Sequence, residues 1–271
     1  MDDEIKKIKM AMASNNAVIF VGTGISTYTT DNEQEASFCK GLLKNGLEKC
    51  HRAGRITDNA IEHFNKKFQS NEVTFDDYLD AADQIMSCFK KESDATKIDV
   101  YKTWLIETVG KLSPTKPELI KAIGELECSI LTTNYDSLLE DILNKKPLTW
   151  HKYFTDDING SFENMKNYIL HIHGYYEEPD SVIFNKDHYN RIPQSEFAES
   201  KLKTLMETKT LLFIGYGAEI FDPHFSNLLK WKCSLTGHNL LPIHKFVKSN
   251  KKKLSYQDSD VSFLENIKTI Q

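Results

Sequence analysis

Four short segments contain the residues of this sequence whose types could perform chemistry. They are GTGIST at residues 22–27, TTNYD at 132–136, HIHG at 171–174 and GYG at 215–217. Each follows a short apolar run, which is typical of a strand buried on both faces of a parallel sheet. Because ligands of open α/β sheets bind at the carboxyl ends of the strands, we expect the four segments to share one cleft.

The first segment could bind a phosphate. Gly22 and Gly24 allow a tight turn and a close approach of a ligand to the backbone, and free amides at the start of a helix attract phosphate. Thr27 stands where the dinucleotide fingerprint G-x-G-x-x-G has its third glycine, so this motif alone is a weak signal. A plain turn between a strand and a helix is the alternative interpretation.

The other segments supply candidate acids, bases and ligand contacts. Asn134 and Asp136 either act on a ligand or cap the helix that follows them. His171 and His173 could face one side of a strand and hold a metal, but no acidic or cysteine cluster completes such a site, so no metal is expected. His171 is interpreted as a core residue, whereas His173 is placed to act as a general base. The glycines of residues 215–217 leave room for a sugar or a phosphate.

The elements that must position these segments indicate an α/β protein. Helical patterns alternate with apolar runs, so the predicted fold is a Rossmann-like, doubly wound, mainly parallel sheet. In residues 58–111 apolar side chains recur at helical spacing, which predicts a helical insertion between the first two strands. The predicted strands lie near residues 17–21, 128–132, 168–172 and 211–215, with a weaker one at 243–247.

Composition narrows the class of protein further. The 271 residues fit a single domain over residues 1–271, and a net charge of −5 disfavours non-specific binding of DNA. The sequence has neither an apolar run long enough for a membrane span nor a signal-peptide pattern, and its five cysteines are widely spaced. A cytoplasmic protein with reduced cysteines is therefore expected. The lysine-rich segment 241–271 is interpreted as a solvated loop rather than a nucleic-acid contact.

The four motifs, in this order, resemble those of the sirtuin-like family. The similarity is closer to its bacterial branch of NAD-consuming antiviral effectors, and it spans roughly residues 14–248. It extends to SVIF at 181–184 and DHY at 187–189. Two features of deacylating sirtuins are absent, the four-cysteine zinc module between the second and third motifs and the G-x-P stretch after the first.

The resemblance implies cleavage of the bond between nicotinamide and ribose in NAD, with water as the acceptor. Carried over by position, Asn134 would hold the ribose and the incoming water, and His173 would act as the general base. Asp136 would steady the loop or the developing positive charge. Among the NAD-binding residues, Gly22, Thr23, Gly24 and Ser26 would line the pyrophosphate, Gly215 and Gly217 would approach the adenosine half, and Ile25, Thr133 and Tyr216 would complete the set.

For the protein as a whole, the resemblance implies an NAD glycohydrolase that depletes NAD as a regulated effector of antiphage defence. A regulatory protein encoded nearby or a homo-oligomer would control it, because unregulated NAD hydrolysis is toxic. Two alternatives stay open: a protein deacylase or ADP-ribosyltransferase that uses the same cleft, and a non-catalytic nucleotide-binding regulatory subunit. Neither a nucleic acid nor a membrane is expected as a partner.

Overall fold

The four motifs all lie in the part of the chain whose structure is described. The computed structural model describes residues 2–31, 36, 39–70, 73–155, 162–191, 196–217, 226, 229, 231, 243–246 and 267–270. The three consecutive lysines at 251–253 lie outside the described residues. Among the described helices, none combines the length and the apolar character that crossing a bilayer requires.

Within the described residues, seven strands form one parallel sheet in the order β3-β4-β2-β1-β5-β6-β7. The expected α/β fold with a parallel, Rossmann-like sheet is therefore confirmed. Because the order runs one way from β1 to β2 and the other way from β1 to β5, the change of direction lies at β1. The strands are β1 (Ala17–Val21), β2 (Ser129–Thr132), β3 (Lys146–Thr149), β4 (Tyr168–His171), β5 (Thr210–Ile214), β6 (Ile243–Phe246) and β7 (Ile267–Ile270).

Helices cover both faces of the sheet. The α-helices are α1 (Asp2–Ala13), α2 (Thr23–Thr29), α3 (Cys39–Arg52), α4 (Asp58–Gln69), α5 (Phe75–Thr96), α6 (Val100–Glu107), α7 (Glu118–Gly124), α8 (Leu138–Leu143), α9 (Trp150–Thr155), α10 (Lys186–Arg191) and α11 (Glu196–Thr208). Short 3₁₀ helices span Val109–Lys111, Phe162–Asn167 and Pro179–Ser181.

The central strands are almost entirely buried because each contributes to two cores. Ile19 and Val21 of β1 pack with helices α3 and α5–α8, whereas Val18 and Phe20 pack on the opposite face with α9 and α11. Alternate side chains of a strand point to opposite faces, so a strand covered on both sides reads as a continuous apolar run. This is why β1, β2, β4 and β5 were predictable from the sequence.

The expected helical insertion is confirmed, and it begins earlier than residue 58. Helices α4–α6 and the 3₁₀ turn Val109–Lys111 fill residues 58–111, but α3 precedes them and packs along α5. At Gly46 of α3 a Cβ atom would lie 2.8 Å from Cδ1 of Ile85, so the absence of a side chain lets the two helices approach closely. The glycine weakens the apolar periodicity of α3, which is why the pattern did not predict it.

Two strands were missed. β3 is an edge strand in which Lys146 and Pro147 are exposed and two other residues are buried, so it lacks a continuous apolar run. The interpretation of residues 241–271 as a solvated loop is wrong for Ile267–Ile270, which form β7 and pair in parallel with β6. The lysines of this segment make it polar overall, so its pattern did not predict this short strand.

Candidate functional site

The four motifs meet at one edge of the sheet. They follow β4, β2, β1 and β5, which are consecutive in the sheet, and each motif lies at the carboxyl end of its strand. The expectation that the motifs come together therefore agrees with the topology. Strands in register bring these ends side by side, as Val21 pairs with Thr132 of β2 and with Ile214 of β5.

The glycine turn after β1 packs against the glycine turn after β5. The Gly22 amide donates to the Ile214 carbonyl at 2.9 Å, and the Gly24 amide donates to the Gly215 carbonyl at 2.8 Å. A Cβ atom on Gly24 would lie 2.6 Å from the Gly215 oxygen. The expectation of phosphate-binding free amides is therefore wrong for Gly22 and Gly24, whose amides are already used. These glycines are needed for close packing between two turns.

Asn134 is the centre of a buried hydrogen-bond network. Its side-chain Nδ2 donates to the Gly22 carbonyl at 3.2 Å and to Ser26 Oγ at 2.8 Å, and its backbone amide donates to Thr132 Oγ1 at 3.0 Å. The residue is only 4% exposed. Its Oδ1 atom is buried and has no hydrogen-bond partner among the described residues. Since buried polar atoms are nearly always paired, this oxygen is a candidate acceptor for a ligand.

Asp136 continues this network. Ser26 Oγ donates to Asp136 Oδ2 at 2.7 Å, and the Leu138 amide at the start of α8 donates to Oδ1 at 3.1 Å. Burial raises the pKa of Asp136, although both hydrogen bonds favour its charged form. The carboxyl group thus binds the first amide of the following helix and also contributes to the wall of a cavity.

His173 lies with Asn134 in the lining of a single cavity. The cavity has a volume of about 90 Å³, which is room for several water molecules. Of the residues that the sequence singled out, Thr23, Thr133, Asn134, Asp136 and His173 contribute to its wall. The His173 ring meets the Tyr189 ring edge to face, with 6.1 Å between the centroids.

The remaining predicted residues are not among those that line the cavity. Ile25 is 2% exposed and belongs to the core, and Ser26 reaches the cavity only through its bonds to Asn134 and Asp136. The segment 215–217 is not among the residues that line the cavity; its Tyr216 hydroxyl accepts a hydrogen bond from Thr133 Oγ1 at 3.4 Å.

Apolar and aromatic side chains that the sequence did not single out as site residues complete the cavity. Leu42, Phe75 and Tyr78 come from the helical insertion, and Phe184 and Tyr189 follow β4. The helical spacing of apolar residues in 58–111 predicted only a helical insertion there, not a contribution to the site. The insertion therefore contributes to the cavity wall together with residues from the carboxyl edge of the sheet.

His171 is buried, as expected, but it is not a plain packing residue. Its Nδ1 lies 2.8 Å from the carbonyl oxygen of Asn134, and its Nε2 lies 2.6 Å from Oε1 of Glu140. Burial alone lowers the pKa of His171, but the Glu140 carboxylate and the Asn134 carbonyl together raise it above its ordinary value. Among the described residues, no group of three or more His, Cys, Asp or Glu side chains is placed to hold a metal ion.

Comparison with known proteins identifies the family of this chain. A family model described as "SIR2-like domain" matches residues 128–266, which carry three of the four motifs. The chain belongs to this family. The resemblance of the motifs to those of sirtuin-like proteins is thereby confirmed, and the SIR2-like match covers the strands from β2 to β6.

Two curated relatives are similar to this SIR2-like chain over regions of different length. "Defense-associated sirtuin 2" of Bacillus subtilis is 26% identical over 238 residues, which cover 84% of this chain and 20% of that protein. "NAD(+) hydrolase ThsA" of Acinetobacter baumannii (strain 532279) is 30% identical over 129 residues, which cover 46% of this chain and 26% of that protein. The chain thus spans about a fifth to a quarter of the length of these relatives.

Proposed function

We propose that this chain is an NAD glycohydrolase, which cleaves NAD to nicotinamide and ADP-ribose. The observation that carries the proposal is the presence of Asn134 and His173 in the wall of one cavity at the carboxyl edge of the sheet. Membership of the SIR2-like family and the name of one relative, an NAD(+) hydrolase, support the same reaction.

Asn134 would hold the ribose and the attacking water. Its Nδ2 is fixed by Gly22 and Ser26, so the direction of Oδ1 is fixed as well. A carbonyl oxygen only accepts hydrogen bonds, and a ribose hydroxyl or a water molecule would supply the donor that Oδ1 lacks.

His173 would act as the general base. When the glycosidic bond breaks, nicotinamide leaves as a neutral molecule and the ribose carbon becomes cationic, as in other glycosidic cleavages. Water then bonds to that carbon, and its proton passes to the imidazole directly or through a ribose hydroxyl. Asp136 would steady the loop through Ser26 and Leu138. One water is consumed, and one proton is released for each NAD cleaved.

The surrounding residues would bind the rest of the substrate. Thr23 and Thr133 would contact the ribose or the pyrophosphate from the cavity wall, while Gly22, Gly24 and Ser26 would shape that wall. Ile25, Gly215, Tyr216 and Gly217 would support the region toward the adenosine half. The aromatic residues Tyr78, Phe184 and Tyr189 would cover the nicotinamide ring and exclude bulk water.

The biological role follows from the reaction. We propose that the chain serves bacterial antiphage defence by depleting NAD in the cytoplasm, in line with the name of the Bacillus relative. A regulatory protein encoded nearby, or assembly into a homo-oligomer, would keep it inactive until infection.

The purified chain should be incubated with NAD, alone and together with the product of its genomic neighbour. We expect nicotinamide and ADP-ribose in equal amounts without any acylated peptide. Strict dependence on an acylated peptide would instead indicate a deacylase, and binding of NAD without nicotinamide release under every activating condition would indicate a regulatory subunit.

Substitution of the two proposed catalytic residues makes the test specific. Asn134→Ala and His173→Ala should each lower the turnover rate by about 10²–10⁴-fold. His63→Ala on α4 is the matched control, since His63 is an exposed histidine outside the cavity lining. Wild-type turnover by folded His173→Ala would show that His173 is not the base.

A further inference from the structure

Asn134 is held not only by its side chain but also by its backbone. Its carbonyl oxygen lies 2.8 Å from Nδ1 of His171. A carbonyl cannot donate, so Nδ1 must carry a proton for this contact to be a hydrogen bond. The bond joins the turn after β2 to the last residue of β4, and His173 follows two residues later. It therefore links the two turns that carry the proposed catalytic residues.

The other ring nitrogen of His171 faces a carboxylate. Nε2 lies 2.6 Å from Oε1 of Glu140, in the first turn of α8. An ionised Glu140 can only accept, so Nε2 also carries a proton, and the ring is then an imidazolium. The Tyr175 ring lies 4.8 Å from the His171 ring, where an aromatic ring stabilises a cation.

We infer that Glu140 and His171 form a buried ion pair that fixes the backbone of Asn134, and that both are positioning residues for the proposed NAD cleavage. The inference deepens the proposed function and rests on it. Glu140 acts through His171, and His171 acts through Asn134; neither is among the residues that line the cavity.

The environment of the pair argues against a purely stabilising role. The side chains of His171 and Glu140 are 0% and 5% exposed. Removing two charges from water is costly, and apolar residues of similar volume often stabilise a core at least as well. Glu140 Oε2 is in addition buried without a hydrogen-bond partner among the described residues. These energetic costs of the buried ion pair are explained if the pair holds Asn134 in an accurate position.

Charged groups around the pair are consistent with a protonated ring. Asp136, in the loop after β2, adds a second carboxyl group near His171, and Glu140 approaches it from α8. Both favour positive charge on the imidazole and, with the Asn134 carbonyl, raise the pKa of His171 despite its burial.

Four variants separate positioning from packing. His171→Leu and Glu140→Leu remove the hydrogen bonds but still fill the space with an apolar side chain. His171→Asn can still donate to the Asn134 carbonyl, and Glu140→Gln can keep both hydrogen bonds with a neutral His171. Asp141→Leu is the matched control, because Asp141 is the exposed neighbour of Glu140 on α8.

We expect the Leu variants, compared as folded protein, to lower kcat for nicotinamide release by about 10²-fold, as a small misplacement of a reacting group does. The KM for NAD should change by less than about threefold, since the lining of the cavity is intact. His171→Asn and Glu140→Gln should recover at least about tenfold of the lost rate, and Asp141→Leu should behave as wild type. Wild-type kcat in a folded Leu variant, or no recovery in the conservative variants, would overturn the inference.

Nitrogen NMR of labelled histidine provides a readout that does not depend on activity. At neutral pH both ring nitrogens of His171 should be protonated in the wild type, and Glu140→Gln should remove the proton from Nε2 but not from Nδ1. An unprotonated Nε2 in the wild type, or a ring unaffected by Glu140→Gln, would refute the ion pair even if the Leu variants do not fold. A wild-type chain with the expected ring state but no NAD cleavage would instead refute the proposed function.

Discussion

Ser26 Oγ lies 2.7 Å from Asp136 Oδ2, although 110 positions separate the two residues in the chain. The same hydroxyl accepts a hydrogen bond from Asn134 Nδ2. A single small side chain on α2 therefore connects the amide and the carboxyl group that follow β2. A hydroxyl suits this place because it donates and accepts at once.

Ser26→Ala should disturb stability and catalysis together. It leaves Asn134 Nδ2 with the weaker bond to Gly22 and deprives the buried Asp136 of a donor, which should lower the free energy of unfolding by about 1–3 kcal/mol. Nicotinamide release should fall at least about tenfold. Urea unfolding and NAD turnover measure the two effects. Ser14→Ala, which loses an exposed bond to the Met10 carbonyl, should change stability by less than about 0.5 kcal/mol.

Gly24→Ala should be strongly destabilising although Gly24 lies in a helix, where alanine is intrinsically preferred. The new Cβ would lie 2.6 Å from the Gly215 carbonyl oxygen. Because this oxygen belongs to the backbone, the turns after β1 and β5 would have to move apart. We expect a loss of about 3 kcal/mol in chemical denaturation.

Gly54→Ala is the contrasting control for this substitution. Gly54 has a φ of +67° but open space around its missing Cβ, so only backbone strain of about 1 kcal/mol is expected. Equal losses in the two variants would mean that the turns after β1 and β5 separate without cost.

Asp77 should make the insertion sensitive to acid. A hydrogen bond from Lys67, together with the Thr74 amide at 2.9 Å, lowers the pKa of Asp77 from 3.8 to about 2. A carboxyl group whose pKa is lowered by folding stabilises the fold at any pH above its pKa in the unfolded chain. This contribution is lost as the pH falls from 3.8 to about 2.

Asp77→Asn should therefore flatten the dependence of unfolding free energy on pH in that acidic range. At neutral pH the variant should be less stable by about 1 kcal/mol, because it weakens the capping box that starts α5. Asp76→Asn, at the exposed neighbouring position, is the control. A variant whose acid profile matches that of the wild type would show that Asp77 is not the titrating group.

Trp104 should couple the stability of the insertion to the shape of the cavity. It is 1% exposed, its Nε1 donates to Asn45 Oδ1 at 2.9 Å, and its ring packs edge-on against Phe184 with centroids 5.5 Å apart. Phe184 in turn lines the cavity. Trp104→Ala should cost about 3–5 kcal/mol and raise the KM for NAD.

Trp104→Phe distinguishes the ring from its hydrogen bond. It keeps an aromatic contact with Phe184 and loses only the donor to Asn45, so its cost should be nearer to 1–2 kcal/mol, roughly one buried hydrogen bond, with little change in KM. A KM raised as far as in Trp104→Ala would contradict this coupling through the ring.

Sequence patterns predicted the parts of this protein that depend on local order. The continuous apolar runs predicted the central strands, and their small polar ends predicted which residues gather at the sheet edge. The Glu140–His171 contact could not be predicted in this way, since Glu140 reads as an ordinary acidic residue of a short helix. The hydrogen bonds of the Gly22 and Gly24 amides could not be predicted either, because their acceptors lie at the end of β5 and directly after it, far away in the chain.

The position of the helical insertion between β1 and β2 has a consequence for synthesis. Gly22 and Asn134 are joined by a hydrogen bond but are 112 positions apart, and the other neighbour of β1 comes later still. At about 5–20 residues per second, the ribosome takes roughly 6–20 s to make the intervening chain. During that time the wholly apolar β1 has no strand to pair with, although the insertion can already fold through its local contacts. The nascent chain therefore carries an exposed aggregation-prone segment before its cleft can form.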